Sequence, residues 1–348
     1  MSIKWGVIGA GGIADRRTIP EGIIPADNSE LVAVMDVNEN KAKEVAKKYG
    51  NIKYYSKEED LVNNPDIDAI YIATPTYLHA KQTCLAAGSK KHVLCEKPMA
   101  MNVKECEEMI KVCNANNVKL SIGYMMRFHT YHKHLRKMIE EGELGRIVFG
   151  RAQLSCWYPP IEDAWRQNLQ LGGGGSLIDM GSHCIDLLEM FIGKVSRVFC
   201  NTKSLVHNYS SEDTAVVLLE FQNGAQGVVD TCFNIPDNSS KNVLEIYGNK
   251  GSVLAKGTIG QMPGGEMITF IEKEKKDYNA KQEREFTSME MKIELEPVNM
   301  YRAEIEHFSN CILNDEEPVI TREDGLWNLK IVLACYESAK KGKLVRLS

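Results

Sequence analysis

The first fifteen residues constrain the chain more than any other stretch. Ile3, Trp5, Val7 and Ile8 form an apolar run, β-branched and aromatic, that reads as a buried strand. It breaks at once into Gly9-Ala10-Gly11-Gly12-Ile13-Ala14, the spacing G-x-G-x-x-A. The first glycine of such a turn allows the tight reversal, the second lets backbone approach a pyrophosphate, and the small third residue lets the next helix sit close to the strand. The N–H groups opening that helix then face the phosphates, where the helix dipole favours negative charge. Gly9, Gly11, Gly12 and Ile13 are therefore the candidate phosphate-binding positions.

A glycine turn alone is weak, because plain turns also have this composition. Its sequel strengthens it: a second strand, Leu31 to Met35, ends at Asp36. An acidic residue at that strand end is placed to hold an adenosine ribose 2′-hydroxyl. Asp36 favours NAD over NADP, since a carboxylate repels a 2′-phosphate and the nearest downstream cation is Lys41. Arg16 and Arg17 are the cations that would favour NADP.

Composition removes several classes. A net charge of −5 without a basic block argues against nucleic-acid binding. No apolar run approaches the roughly 20 residues of a membrane span. The first apolar run leads directly into the glycine turn, so it does not read as a signal peptide. Ten cysteines show neither C-x-x-C nor zinc spacing, which reads as reduced thiols in the cytoplasm and no metal site.

The following residues alternate between helical and strand patterns. Helices are expected over Glu39–Tyr49, Lys57–Val62, Tyr77–Ala87 and Val103–Asn116, and strands over Ile52–Tyr55, Asp68–Ala73, around Val93–Leu94, and over Lys119–Gly123. That alternation predicts βαβ units and a doubly wound parallel sheet, with ligands beyond the carboxyl ends of the strands. Two more strand ends carry chemistry: Thr74-Pro75, with His79 on the next helix, and Glu96-Lys97-Pro98. A Glu and a Lys ending an interior strand are costly to desolvate without a purpose.

The pattern changes after Gly123. A helix is expected over Tyr131–Glu141 and a strand over Arg146–Ser155, then Trp165-Arg166 and four glycines, Gly172 to Gly175. Ser176 is the expected cap of a helix from Leu177 to Ile192, which sets Asp179 and His183 on one face and Ile178, Ile185, Leu188 and Phe191 toward a core. Strands follow over Val195–Cys200, Thr214–Phe221, Ala225–Phe233, Asn242–Tyr247 and Gly251–Leu254, with Asn223-Gly224 as a hairpin turn. Gly260–Glu296 reads as solvated strands and a loop, and Tyr301–Leu313 and Asp324–Lys340 as helices. The expected division is a nucleotide-binding domain at 1–123, then an α+β domain at 124–348 with a large, mostly antiparallel open sheet. The run His129-x-x-His132-x-His134 reads as a solvated helix face.

Taken in order, Gly9-x-Gly11-x-x-Ala14, Thr74-Pro75-x-x-x-His79, Glu96-Lys97-Pro98, Trp165-Arg166 and Asp179-x-x-x-His183 make the whole chain resemble the Gfo/Idh/MocA family of sugar and cyclitol oxidoreductases. The resemblance implies a Rossmann domain, a cofactor in the cleft between domains, and an open sheet covered by another subunit in a homodimer or homotetramer. It implies Lys97 and His183 as the acid/base pair and Asp179 as a residue that holds substrate or orients the histidine. Glu96 would accept from the nicotinamide ribose; Thr74, Pro75, His79, Lys97 and Arg166 would lie at the cofactor, and Tyr124 and Arg127 at the substrate cleft.

The function this implies is NAD-dependent oxidation of a secondary hydroxyl on a sugar, sugar derivative or cyclitol. The hydroxyl proton needs a base in hydrogen-bond reach, and histidine starts near the required pKa. His183 is taken as that base and Lys97 as its electrostatic partner. Two alternatives stand beside it: an NADP-dependent reductase of a keto-sugar or dicarbonyl, and an NAD-dependent glycosidase working by oxidation and elimination.

Overall fold

A computed structural model describes residues 1–272 and 289–347. Its first sheet is wholly parallel. Strands β1 (Ile3–Ile8), β2 (Ser29–Met35), β3 (Lys53–Tyr55), β4 (Ala69–Ile72), β5 (His92–Cys95) and β6 (Leu120–Ile122) lie in the order β3-β2-β1-β4-β5-β6. The order reverses between β1 and β4, which opens a crevice at the carboxyl ends of both. These strands are apolar on both faces because helices cover both: every residue of β4 is buried, as is all of β1 except Lys4.

The winding after the glycine turn is unusual. Ala14–Ile23 is a π-helix containing Pro20 and Gly22, with Asp15 in its first turn. Proline supplies no N–H for a regular α ladder, and the wider winding accommodates it. A second π segment, Leu177–Gly181, runs into the α-helix Ser182–Ile192.

Among the described residues the second sheet holds nine strands: β7 (Ile147–Ser155), β8 (Val195–Lys203), β9 (Thr214–Phe221), β10 (Gln226–Cys232), β11 (Val243–Gly248), β12 (Gly251–Lys256), β13 (Glu266–Ile271), β14 (Met289–Ile293) and β15 (Val345–Arg346). Their order is β14-β13-β12-β11-β7-β10-β9-β8-β15, and among these described strands only the β7–β10 pair is parallel. Asn223-Gly224 turns β9 into β10 as expected, with Gly224 at φ +88°. The charged stretch Gly260–Glu296 contributes β13 and β14, which extend the sheet at its edge; the part of it from 273 to 288 lies outside the described residues.

Alternate residues of β9 are buried against helices, whereas Val216 and Leu218 face outward with Phe199 of β8. In register, Phe199 pairs with Leu218 and Asn201 with Val216, so this outer face carries an apolar strip that nothing in the chain covers among the described residues.

The helix Met300–Leu313, late in sequence, packs back on the first sheet. Tyr301, Glu304, Ile305 and Phe308 are buried on its inner side, Phe308 meets Trp5 with ring centroids 5.9 Å apart, and the Trp5 indole N–H donates to Ser309 at 3.2 Å. The helix Arg322–Lys341 opens with a capping box, in which the Thr321 and Asp324 side chains each accept from the other's backbone N–H. Among the described residues no helix is long and apolar enough to cross a membrane, and all ten cysteines are free.

Candidate active site

The glycine turn lies at the crevice. Gly9 has φ +86°, and a Cβ there would stand 2.9 Å from Thr74 Cγ2 and 3.0 Å from the Ala73 oxygen, so the first glycine answers to both conformation and space. A Cβ on Gly11 would look across 3.9 Å to Asp36 Oδ2. Gly12 has φ +51° with open space above it, and Ile13 is half-buried at the start of the π-helix. Asp36 Oδ1 accepts the Asn38 N–H at 3.0 Å, which fixes its carboxylate at the end of β2.

The nearby cations divide. Lys41 and Lys48 both reach Asp15, at 3.2 and 2.8 Å, and Arg17 pairs with Glu21 at 2.6 Å. Lys41 is thus held by Asp15, although its Cε lies at the same 3.9 Å as Asp36 Oδ2 from a Cβ built on Gly11, while Arg16 is exposed. This cradle fits a dinucleotide: glycines at the turn, open space above Gly12, and a carboxylate at the second strand end.

At the end of β4, Thr74 Oγ1 donates to Gln82 at 2.5 Å, and Gln82 donates to Glu58 at 2.8 Å; Glu58 also pairs with Lys81. Pro75 starts the helix Thr76–Gly88. His79 is fully enclosed and bridges two strand ends, its Nε2 at 2.9 Å from the Thr74 oxygen and its Nδ1 at 2.9 Å from the Pro98 oxygen. Burial holds its pKa below the usual histidine value. Glu96, at the end of β5, accepts from the Tyr71 hydroxyl at 2.6 Å and from the Lys97 N–H at 3.2 Å, and Tyr71 in turn accepts from Thr18 at 2.8 Å.

Lys97 points across the cleft. Its Nζ donates to the main-chain oxygen of Asp179 at 2.6 Å and to Oδ1 at 2.8 Å. Arg166 approaches the same oxygen at 3.3 Å while stacking on Trp165 at 4.2 Å. Burial opposes ionisation of Asp179, but the Lys97 and Arg166 charges pull its carboxyl below the ordinary carboxylate range. Its hydrogen-bond partners are therefore these two cations, and none of its hydrogen bonds goes to His183.

His183 follows one turn later. The i, i+4 spacing spans the end of the π segment, so both side chains belong to the cleft side of one helical run. The His183 Nδ1 is buried without a partner, and its ring meets Tyr124 edge-on at 5.8 Å. Burial, and then the Lys97 charge, push the imidazole well below its usual value, so the untuned histidine pKa expected from sequence is not what this surrounding gives.

Arg127, expected at the substrate cleft, is engaged elsewhere. It makes a fork onto Asp186 at 2.6–3.1 Å and reaches Asp324 at 3.2 Å, tying three helical segments together. Two other expectations are corrected. Ser176 does not cap the helical run that carries Asp179 and His183; it is already helical, and its hydroxyl donates to the Thr231 oxygen. The histidine run is not a solvated face: His129 and His132 are both fully buried, His129 against the Gly264 oxygen and His132 between the Met126 oxygen and the Thr258 hydroxyl.

The cap that Ser176 does not provide comes from Glu212. Its carboxylate accepts the N–H groups of Gly175 and Leu177, each at 2.9 Å, and the Tyr336 hydroxyl at 2.9 Å, while its carbonyl accepts from Ser176 at 3.1 Å. A Cβ on Gly175 would run into that carbonyl. No local signal in the sequence marks Glu212, which reaches this helix from a distant inter-strand loop.

Comparison with known proteins gives matches over most of the chain. Residues 3–124 match the oxidoreductase family with an NAD-binding Rossmann fold, and residues 132–254 match the GFO/IDH/MocA C-terminal domain. The uncharacterized oxidoreductase YrbE of Bacillus subtilis is 30% identical, covering 99% of this chain and 96% of its own length. A 1,5-anhydro-D-fructose reductase of Ensifer adhaerens is 29% identical, covering 99% and 98%. The crystal structure of aldose-aldose oxidoreductase from Caulobacter crescentus superposes with a TM-score of 0.88 at 28% identity, covering all of both chains. The chain belongs to the GFO/IDH/MocA oxidoreductase family, and its first domain is an NAD-binding Rossmann fold.

Proposed function

We propose that this oxidoreductase is an NAD-dependent dehydrogenase acting on a secondary hydroxyl of a sugar, sugar derivative or cyclitol. The observation that carries this reading is the Lys97–Asp179 ion pair, one residue from Glu96 at a strand end and one helical turn from His183, in the same sheet whose first strand opens into the glycine turn.

Gly9, Gly11, Gly12 and Ile13 would hold the pyrophosphate, with Thr74, Pro75, His79 and Arg166 around the cofactor. Asp36 would take the adenosine ribose, Glu96 the nicotinamide ribose, and the bound dinucleotide supplies the hydride acceptor. Lys97, in its ion pair with Asp179, presents a positive charge toward a developing alkoxide. His183, kept neutral by its surroundings, is the acceptor for the hydroxyl proton. Tyr124, edge-on to His183, forms the wall beside it.

Asp36 supports NAD over NADP, because the cation nearest downstream, Lys41, is held by Asp15. The reverse reaction, reduction of a keto-sugar, uses the same residues with the proton travelling the other way, and a relative named as an anhydrofructose reductase favours it. The outward strip of Phe199, Val216 and Leu218 supports a homo-oligomer formed through the second sheet, and the free thiols support a cytoplasmic protein.

The test follows NADH absorbance with purified protein, each cofactor, and a panel of cyclitols, pyranoses, keto-sugars and glycosides. NAD-dependent oxidation of one alcohol class supports the reading. Turnover confined to NADPH and a carbonyl replaces it with the reductase, and release of an aglycone without net redox replaces it with a glycosidase.

A further inference from the structure

Thr74, at the end of β4, is tied from several sides. A Cβ on Gly9 would stand 2.9 Å from its methyl carbon, so the half-buried side chain lies against the first glycine of the turn. Its main-chain oxygen is 2.9 Å from Nε2 of His79. Its hydroxyl meets the Gln82 amide oxygen at 2.5 Å, and the Gln82 amide nitrogen meets Glu58 Oε2 at 2.8 Å.

The direction of these hydrogen bonds follows from which groups can donate. Glu58 is ion-paired with Lys81, and a carboxylate accepts but cannot donate. Only the amide NH2 of Gln82 can face it, which turns the amide oxygen toward Thr74. That oxygen also only accepts, so the Thr74 hydroxyl must give it its one proton. Gln82 is 2% and Glu58 8% exposed, so solvent has little access to the line and the amide is held in one orientation.

With its proton committed, Thr74 has only lone pairs to offer a ligand. A phosphate oxygen brought to it would set acceptor against acceptor, whereas a ribose hydroxyl would donate to it. The backbone N–H groups at the glycine turn have the opposite preference.

We infer that Gln82 is a positioning residue for the cofactor site: anchored by Glu58, it takes the Thr74 hydroxyl proton and leaves Thr74 to accept from a ribose hydroxyl of the dinucleotide rather than donate to its phosphates. Gln82 is buried and acts through Thr74, without touching the cofactor. The two preferences together fix the register of the dinucleotide along the strand ends, phosphates at the turn and sugar at Thr74. The inference rests on the reading of Thr74 as a cofactor contact.

NADH fluorescence titration of the full-length protein tests it without knowledge of the substrate. Thr74→Val, Gln82→Met and the double variant are compared with wild type, with Thr74→Ser as the conservative control. Thr74→Val, which keeps the shape and removes the oxygen, is expected to weaken binding about tenfold, and Thr74→Ser to stay within about threefold. Gln82→Met is expected to cost about threefold in the wild-type background and nothing beside Thr74→Val, because it acts only through the hydroxyl. Equal loss in both backgrounds means that Gln82 is merely structural, and overturns the inference. So does Gln82→Met binding like wild type, or more tightly, which would show a released hydroxyl donating to the cofactor. Thr74→Val binding like wild type removes Thr74 from the cofactor and the inference with it. Should Gln82→Met not fold, Glu58→Gln decides, since it frees the Gln82 amide to turn. A loss of about threefold seen only with Thr74 present supports the inference, and no loss or equal loss in both backgrounds overturns it.

Discussion

Lys97 and Asp179 meet twice, through the lysine ammonium to the aspartate's main-chain oxygen and to its carboxylate, at 2.6 and 2.8 Å. One residue at the end of a parallel strand is thereby locked to the first turns of a helix in the other domain. The lock sets the distance between the end of the fifth parallel strand and the helical run that carries Asp179 and His183, and Arg166 adds a second cation to the same carboxylate. Lys97→Met is expected to lower turnover by roughly 10²–10⁴-fold, the usual contribution of a positioned acid/base group. Steady-state kinetics on the substrate found by the panel checks it; near-wild-type turnover would remove Lys97 from the chemistry.

Asp36 predicts cofactor preference. Asp36→Ala removes the like charge from the 2′ position while Lys41 stays with Asp15. The ratio of kcat/KM with NADP to that with NAD is expected to rise about tenfold, corresponding to ~1.4 kcal/mol. An unchanged ratio would show that the carboxylate does not face the 2′ position.

Glu212 predicts a coupled loss of stability and rate. Glu212→Ala leaves the buried N–H groups of Gly175 and Leu177 without their acceptor, at about 1–3 kcal/mol. It also loosens the segment that carries Asp179 and His183, so kcat should fall more than KM rises. Urea melts and kinetics on the same preparation read both, and a variant as stable and as fast as wild type would contradict the clamp.

Arg127 separates a framework role from a substrate role. Arg127→Ala leaves Asp186, itself 3% exposed, as an unpaired buried carboxyl, and breaking such a pair costs about 3–5 kcal/mol. A lowered melting midpoint is expected. A higher KM with unchanged stability would instead return Arg127 to the substrate.

His132 predicts acid lability. Burial, then the neighbouring His129, push its pKa down to about 3, and its Nε2 accepts from the Thr258 hydroxyl, which a protonated ring cannot do. The unfolded chain binds a proton near pH 6.5, so this stability is complete above that pH and is lost as pH falls toward 3. At pH 5 the loss from this residue is about 2 kcal/mol. Melting curves between pH 7 and 5 should show it, and His132→Gln should flatten the slope; equal slopes would exclude His132 as the cause.

The parallel sheet and its strand ends were legible because they depend on local pattern: apolar runs, alternating periods, and Gly9, Asp36 and Glu96 each directly at a run's end. What depends on which distant loops meet was not legible. Glu212 is an ordinary acid between two strands until the fold brings it to Gly175. His129 and His132 looked solvated because Thr258 and Gly264, which cover them, lie far along the chain. The π winding at Ala14–Ile23 and Leu177–Gly181 leaves no period that distinguishes it from an α-helix over so few residues.

The return of the Met300–Leu313 helix onto Trp5 bears on how the protein is made. While the ribosome is still reading the second sheet, a nascent chain has already released its nucleotide-binding strands, but the cover over Trp5, Gly22 and Tyr71 has not yet been synthesised. At ~5–20 residues per second that interval is on the order of ten seconds or more. The first domain to emerge is therefore among the last to be finished, and during that delay its apolar flank is a surface for chaperones to guard.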